Sequence, residues 1–286
     1  MTVPPKILKI LLTNDDGIYA PGLWTLYETL KCDHQLTVVA PDRERSAVGH
    51  GITLHQPLRA LHVELNGFQG WAVSGTPADC VKLAVRELLP DPPDMVVSGI
   101  NPGANVGIDL NYSGTVAAAK EAALYGLPAM AVSIQGGEQP CYQTAARCIA
   151  QLIPLVHSQR LPAGTFLNVN VPNLPWQAVA GFRPSRQCIS PCDDHFEKRR
   201  DPRNRVYYWQ GGESRTVFGH PDADGAVLTD NCISITPVRC DMTDYEALET
   251  LRNWDLDHRV AAARPGPLEA QLMTSPQARH VREERR

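Results

Sequence analysis

The chain has 286 residues, of which 43% are hydrophobic and 20% are charged, and its formal net charge is −4. This composition is typical of a globular protein, and the length allows one large domain or a domain with an appendage. A negative balance creates no overall positive field, so it disfavours nucleic-acid polymers and anionic membranes as partners.

No apolar stretch reaches the ~20 residues that a membrane helix needs. The short apolar run at residues 7–12 leads into a polar turn and not into a signal-peptide cleavage site. We therefore expect a cytoplasmic protein with no membrane partner. Cys188, Cys192 and His195 could suggest zinc, but a second pair of ligands is missing from that segment, which disfavours a metal there.

Up to about residue 172, strand-like apolar runs alternate with helix-like segments. In chain order the predicted elements are a strand at 7–13, a helix at 22–31, a strand at 36–40, a helix from Thr76 to about 89, a strand at 95–98, an alanine-rich helix at 115–125, a strand at 128–133, a helix near 142–157 and a strand at 166–171. This alternation predicts a three-layer α/β domain over residues 1–172, with a mostly parallel sheet covered on both faces.

From residue 173 the pattern changes to polar and aromatic residues mixed with proline and glycine. Residues 205–210 and 232–237 are predicted to be strands of a hairpin-type appendage. Thr243 and Glu246 fit a capping box ahead of a short helix that reaches about Leu251. We predict a hairpin-rich region with this helix over 173–255, and a disordered tail, poor in apolar residues, over 256–286.

The motif Asn14-Asp15-Asp16-Gly17 follows the first predicted strand. Adjacent carboxylates repel each other, and a cation beside them favours their ionised forms. The same four residues are also typical of an ordinary turn in which glycine supplies a positive φ. On its own the motif fits both interpretations.

Two further loops offer oxygen donors at the same edge of the sheet. Ser46 follows the second predicted strand, and Asn101 follows the strand that ends at Ser98. Because ligands bind outside the carboxyl ends of the strands in an open α/β sheet, we expect both residues to join Asp15 and Asp16. This all-oxygen set suits one divalent cation, Mg²⁺ or Mn²⁺. The candidate catalytic residues are Asp15, Asp16 and Asn101.

Ser113-Gly114-Thr115 stands at the start of the predicted alanine-rich helix. The N–H groups and the dipole of a helix start favour an anion such as phosphate. An ordinary N-cap by Ser113 or Thr115 explains the motif equally well. Together with Asn105 in the preceding loop, these residues form the predicted phosphate-binding set.

Four long segments resemble the signature blocks of the SurE family of survival-protein nucleotidases, namely LLTNDDGIYAPGL, VVAPDRERSAVGHGITL, SGTPADCVKLA and VSGINPGANVGIDLNYSGTVAAAKEA. YYWQGG and ISITP resemble its later blocks, so the similarity covers about residues 7–245. The resemblance implies a Rossmann-like core and an extended hairpin region that helps form a homodimer or homotetramer. It also implies a metal held at the positions of Asp15, Asp16, Ser46 and Asn101, none of which is substituted.

These features predict a divalent-metal-dependent phosphomonoesterase, and the resemblance implies that it hydrolyses nucleoside 5′- and 3′-monophosphates to nucleoside and phosphate. Polyphosphate or another phosphate ester as the main substrate is one alternative. A protein that senses nucleotides without turnover is a second, and a purely structural oligomer subunit is a third. The sequence contains no P-loop motif, dinucleotide fingerprint or serine-hydrolase elbow.

Overall fold

A computed structural model describes residues 6–65, 67–189, 195–211, 219–254 and 256. The chain divides into two compact units, Met1–Cys240 and Asp241–Arg286. The domain boundaries predicted at residues 172 and 255 stay a prediction, and the predicted disordered tail lies outside the described residues except for Leu256.

The strands are β1 (Lys9–Thr13), β2 (Gln35–Pro41), β3 (Ala60–Leu65), β4 (Phe68–Val73), β5 (Met95–Pro102), β6 (Ala129–Ile134), β7 (Thr165–Val171), β8 (Gly181–Pro184), β9 (His195–Arg200), β10 (Val206–Gly211) and β11 (Cys232–Arg239). Nine of them form one sheet in the order β3-β4-β2-β1-β5-β6-β7-β11-β8. The pairs from β4 to β7 are all parallel, whereas β3 and β11 run antiparallel to β4 and β7. The predicted mostly parallel α/β fold is confirmed.

The helices are α1 (Pro21–Leu30), α2 (Pro77–Leu83), α3 (Gly114–Leu124), α4 (Tyr142–Gln159), α5 (Asp224–Thr229) and α6 (Tyr245–Arg252). A π-helical turn at Ala84–Leu88 continues α2, and a 3₁₀ turn at Gly107–Asn111 precedes α3. Across the described residues, no helix is both long and apolar enough to cross a bilayer.

Two hydrophobic cores cover the two faces of the main sheet. Successive side chains of a strand point to opposite faces, so Ile10 and Leu12 pack with α1 and α4 while Leu11 packs with α2 and α3. Burial on both faces explains why these strands are near-continuous apolar runs that the sequence reveals.

Capping motifs determine where two helices begin. Thr76 Oγ1 accepts from the Asp79 N–H at 3.1 Å, and Asp79 Oδ2 accepts from the Thr76 N–H at 3.0 Å, which confirms the predicted start of α2. The predicted capping box at Thr243 is wrong by one residue. The N-cap of α6 is Asp244, whose side chain accepts from the Ala247 N–H at 2.9 Å, because the helix begins at the next residue.

The later part of the chain contributes to two sheets. β9 and β10 form a separate two-stranded antiparallel hairpin, so residues 206–210 form a strand as predicted, whereas Arg205 precedes it. Residues 232–237 are also a strand, but their predicted place in the appendage is wrong, because β11 lies inside the main sheet between β7 and β8. Most of its first five residues are buried, as expected for a strand covered on both faces.

Candidate functional site

An open cavity of about 340 Å³ lies where the carboxyl ends of β1, β2 and β5 meet the start of α3. The residues predicted to hold the cation all line it, namely Asp15, Asp16, Ser46 and Asn101. Two residues of the predicted phosphate-binding set and two further acids also line it: Asn105, Ser113, Glu44 and Asp109. We call this the acidic cavity. Because β1 lies between β2 and β5, the cavity stands where the strand order reverses, as ligand sites in open α/β sheets do.

The turn after β1 is a tight turn, as one interpretation predicted, and its role in holding a cation stays a prediction. Gly17 has a φ of +100°, and the Asn14 side chain donates to the Gly17 carbonyl at 3.0 Å, as in an ordinary tight turn. A Cβ on Gly17 would stand 3.0 Å from the carbonyl carbon of Arg43, so the turn also packs closely on the loop after β2. The turn thereby presents Asp15 and Asp16 to the acidic cavity.

Asp15 is held by the first residues of α3. Its side chain accepts a hydrogen bond from Thr115 Oγ1, and the residue is only 4% exposed. A Cβ on Gly114 would lie 2.7 Å from the Asp15 Cβ, so the close approach needs glycine. Burial raises the pKa of Asp15, and the hydrogen bond from Thr115 opposes that rise. Thr115 and Gly114 therefore position a carboxylate, although neither lines the cavity.

Asp16 is the carboxyl of the acidic cavity whose ionised form is most clearly disfavoured. Burial, followed by the charges of Asp15 and Glu44, raises the pKa of Asp16 to about 7. Within the described part of the chain, its buried Oδ2 has no hydrogen-bond partner. A carboxylate in this situation is stabilised by a proton or by a cation. The donor set of two carboxylates and neutral oxygens thus fits a hard divalent cation.

Ser46 and Asn101 each keep an oxygen available as an acceptor. The Ser46 hydroxyl donates to Glu44 Oε1 at 2.8 Å, so its lone pairs remain. The Asn101 amide nitrogen donates to the Gly103 carbonyl at 2.7 Å, and that bond leaves its Oδ1 as an acceptor. The β5–β6 register shifts between Ser98 and Asn101, which is where the strand reaches the cavity.

Asn105 is fixed by a buried polar network that the sequence analysis missed. Its N–H donates to Asn170 Oδ1 at 2.8 Å, and its carbonyl accepts from Asn168 and Asn170 at 2.8 and 3.0 Å. Its own amide donates to Ser133 Oγ at 2.8 Å. The signal was present, since Asn168 and Asn170 share one face of the otherwise apolar, buried strand β7.

The start of α3 has a capping side chain, as the N-cap interpretation predicted. Ser113 is the N-cap residue, and its hydroxyl accepts from the Val116 N–H at 3.2 Å. Ser113 also lines the acidic cavity. The cap is therefore confirmed, and a phosphate-binding role for the same residues stays a prediction.

A buried carboxylate ties α3 to the loop that carries Ser46. Glu121 bonds to His50 Nε2 at 2.8 Å and accepts from Lys82 Nζ at 3.2 Å. Burial opposes its ionisation, but these two partners hold the pKa of Glu121 below its usual range. His50, which the sequence left unassigned, thus anchors the loop.

The described residues contain no group of three or more His, Cys, Asp or Glu side chains that could hold a metal. Cys192, one member of the weak zinc pattern, lies outside the described residues. The candidate cation site instead combines two acids with a hydroxyl and an amide.

The fold is a mostly parallel α/β sheet, and the acidic cavity brings the four predicted oxygen donors together beside a helix start. The family model of Survival protein SurE matches residues 10–193, and the chain belongs to this family. 5′-Nucleotidase SurE of Desulfatibacillum aliphaticivorans is 54% identical over 251 residues, which cover 87% of this chain and 99% of the relative. The same-named protein of Syntrophobacter fumaroxidans is 48% identical over 250 residues, or 87% and 100% of the two chains.

A crystal structure of the SurE protein from Aquifex aeolicus shares the fold. Its TM-score is 0.76 at 36% sequence identity, and the match covers 85% of this chain and 98% of that chain. The family resemblance inferred from the signature blocks is therefore confirmed.

Proposed function

We propose that the chain is a divalent-metal-dependent phosphomonoesterase that hydrolyses nucleoside 5′- and 3′-monophosphates. The name 5′-nucleotidase SurE, carried by relatives that match 87% of this chain, supports a nucleotidase. The observation that carries the proposal is that four oxygen donors from three separate strand ends line one cavity beside a helix start. This arrangement suits a reaction in which a cation and a helix start together receive one phosphate.

Asp15, Asp16, Ser46 and Asn101 would hold the cation, Mg²⁺ or Mn²⁺. When bound, such an ion polarises phosphate oxygens and lowers the pKa of a coordinated water. The unpartnered Asp16 Oδ2 and the raised pKa of Asp16 support this assignment.

The other residues of the chain orient these groups and the phosphate. Thr115 directs the Asp15 carboxylate through its hydroxyl hydrogen bond. Ser113, Gly114 and Thr115 place the positive end of the α3 dipole at the cavity, which favours the remaining phosphate oxygens. Asn105, fixed by its network, would complete the phosphate site. This division of roles needs little movement on substrate binding, because the groups are already held.

The test measures phosphate release from AMP, 3′-AMP and short polyphosphate, with Mn²⁺ or with a chelator. We expect release from both nucleotides that depends on the metal, with little from polyphosphate, and a loss of at least about 100-fold in Asp15→Ala. Activity that survives the chelator, or that Asp15→Ala retains, would refute the cation site. Preferential release from polyphosphate would replace the proposed substrate class.

Cytoplasmic location and a homodimer or homotetramer belong to the same proposal. Phe196, Tyr208 and Trp209 on the β9–β10 hairpin are each more than half exposed, at 56%, 60% and 58%. Exposed aromatic residues on this hairpin support a protein-binding surface. Light scattering on wild type and on Trp209→Ser tests it, with a smaller assembly or a weaker association constant expected for the variant.

A further inference from the structure

A second pocket, of about 380 Å³, is lined by the loop after β2 and by the segment between β4 and α2. Three arginines line it, Arg43, Arg45 and Arg59, and its lining contains no carboxylate. Thr53, Gln56 and Ser74 add hydroxyl and amide groups. We call it the arginine pocket.

The arginine pocket and the acidic cavity lie on either side of one short segment. Arg43 and Arg45 line the arginine pocket, whereas Glu44 and Ser46 line the acidic cavity. Neighbouring residues of this loop thus contribute to different pockets. Arg43 and Arg45 line one pocket, whereas the carboxylates of Asp15, Asp16 and Glu44 line the other.

The guanidinium groups are poorly compensated within the described residues. Arg43 and Arg45 approach one carboxylate oxygen, Asp42 Oδ1, at 3.9 and 3.8 Å, which is the long limit of an ion pair. The Arg45 Nη2 donates to the Ser74 carbonyl at 3.3 Å, while its buried Nε finds no partner in the described part of the chain. A guanidinium group stays protonated, so a bound anion would stabilise its charge.

We propose that the arginine pocket binds a phosphate-type dianion, either free phosphate or the phosphate group of an ester, at a site separate from the acidic cavity. Planar guanidinium groups match two oxygens of such an anion, and the hydroxyl and amide groups supply further donors. The bound anion rests directly behind the acidic turn, because the Arg45 N–H donates to the Asp15 carbonyl at 2.7 Å.

The experiment titrates the full chain with inorganic phosphate in the presence of a chelator, at constant ionic strength, by calorimetry. Without a divalent cation the carboxylates of the acidic cavity repel phosphate, so the heat reports the arginine pocket. Arg43→Gln and Arg59→Gln each remove one exposed guanidinium, and we expect each to weaken the dissociation constant at least about tenfold. The matched control is Arg203→Gln, an exposed arginine between β9 and β10, which we expect to change the constant less than about twofold.

A parallel titration with AMP distinguishes the two sources of the anion. Tighter binding of AMP than of phosphate, lost in the same variants, identifies an ester; equal or weaker binding identifies free phosphate. The proposal is overturned if metal-free wild type binds neither ligand, or if Arg43→Gln and Arg59→Gln, shown to be folded by thermal unfolding, both bind like wild type. The titration involves no turnover, so its failure leaves the nucleotidase proposal standing, and the converse also holds.

Discussion

The acidic cavity and the arginine pocket share one wall but respond to burial in opposite ways. A carboxylate that is buried without a partner can take up a proton, and the pKa of about 7 at Asp16 shows this tendency. A guanidinium has no such alternative, because it stays protonated at ordinary pH. In the acidic cavity a proton and a cation therefore compete for Asp16, whereas the arginine pocket attracts anions. Substitutions on the acidic side should therefore show pH dependence that the arginine side lacks.

The largest expected effect comes from removing a charge of the acidic cavity. Asp16→Asn should reduce phosphate release from AMP at least about 100-fold in saturating Mg²⁺ or Mn²⁺. Removing even a residue that only supports the ligands of a metal costs about 10- to 100-fold. Initial rates across a metal titration check this. Asp33→Asn, an exposed aspartate after α1, is the control and should retain the wild-type rate. Near-normal hydrolysis by Asp16→Asn would show that this carboxylate does not hold the cation.

The next effect concerns the support of Asp15. Thr115→Val removes the hydroxyl that donates to Asp15 and should weaken Mn²⁺ affinity about 10- to 100-fold. Thr115→Ser keeps the hydroxyl and should restore most of it. Equilibrium Mn²⁺ titration measures both variants. Equal affinities in the valine and serine variants would assign Thr115 to packing alone.

Metal-free stability should depend on pH through Asp16. Its pKa is raised from the ordinary 3.8 to about 7, so between these values the unfolded carboxylate is ionised while the folded one keeps its proton. The unfolded state then binds fewer protons, and the free energy of unfolding falls as pH rises through this window, levelling off above about pH 7. Mn²⁺ should reverse the loss by binding the ionised form.

Thermal unfolding in chelator from pH 4 to 8 measures this contribution. Asp16→Asn cannot ionise, so wild type should lose stability relative to the variant as pH rises. A constant difference between the two proteins across the range would contradict the raised pKa.

Much of the fold follows from the sequence because the inner strands are buried on both faces and their helices begin with readable caps. β3 and β4 were not predicted, because none of residues 60–64 of the edge strand β3 is fully buried and β4 is only partly buried. β11 was misplaced because pairing with β7 is a contact between distant parts of the chain. Local pattern identifies a strand there but not its sheet.

The candidate site, like the fold, was predictable from the sequence only in part. The rule that ligands bind at strand ends brings together Asp15, Asp16, Ser46 and Asn101, and they do line one cavity. Glu44 was not predicted to be part of the site, because a charged residue in a loop is usually solvated. Its presence in the acidic cavity, while Arg43 and Arg45 line the other pocket, depends on the conformation of the loop after β2.

The smallest expected effect is at Glu44, and it tests whether this charge acts through Asp16. Glu44→Gln keeps an acceptor for the Ser46 hydroxyl but removes a charge that raises the pKa of Asp16, so that pKa should fall. At pH 8, where Asp16 is ionised in either protein, the loss of one exposed charge should weaken Mn²⁺ binding about two- to fivefold. At pH 6 the weaker competition from protons should offset that loss. Mn²⁺ titrations of both proteins at pH 6 and pH 8 test this. If the ratio of variant to wild-type affinity is the same at both pH values, Glu44 does not act through Asp16.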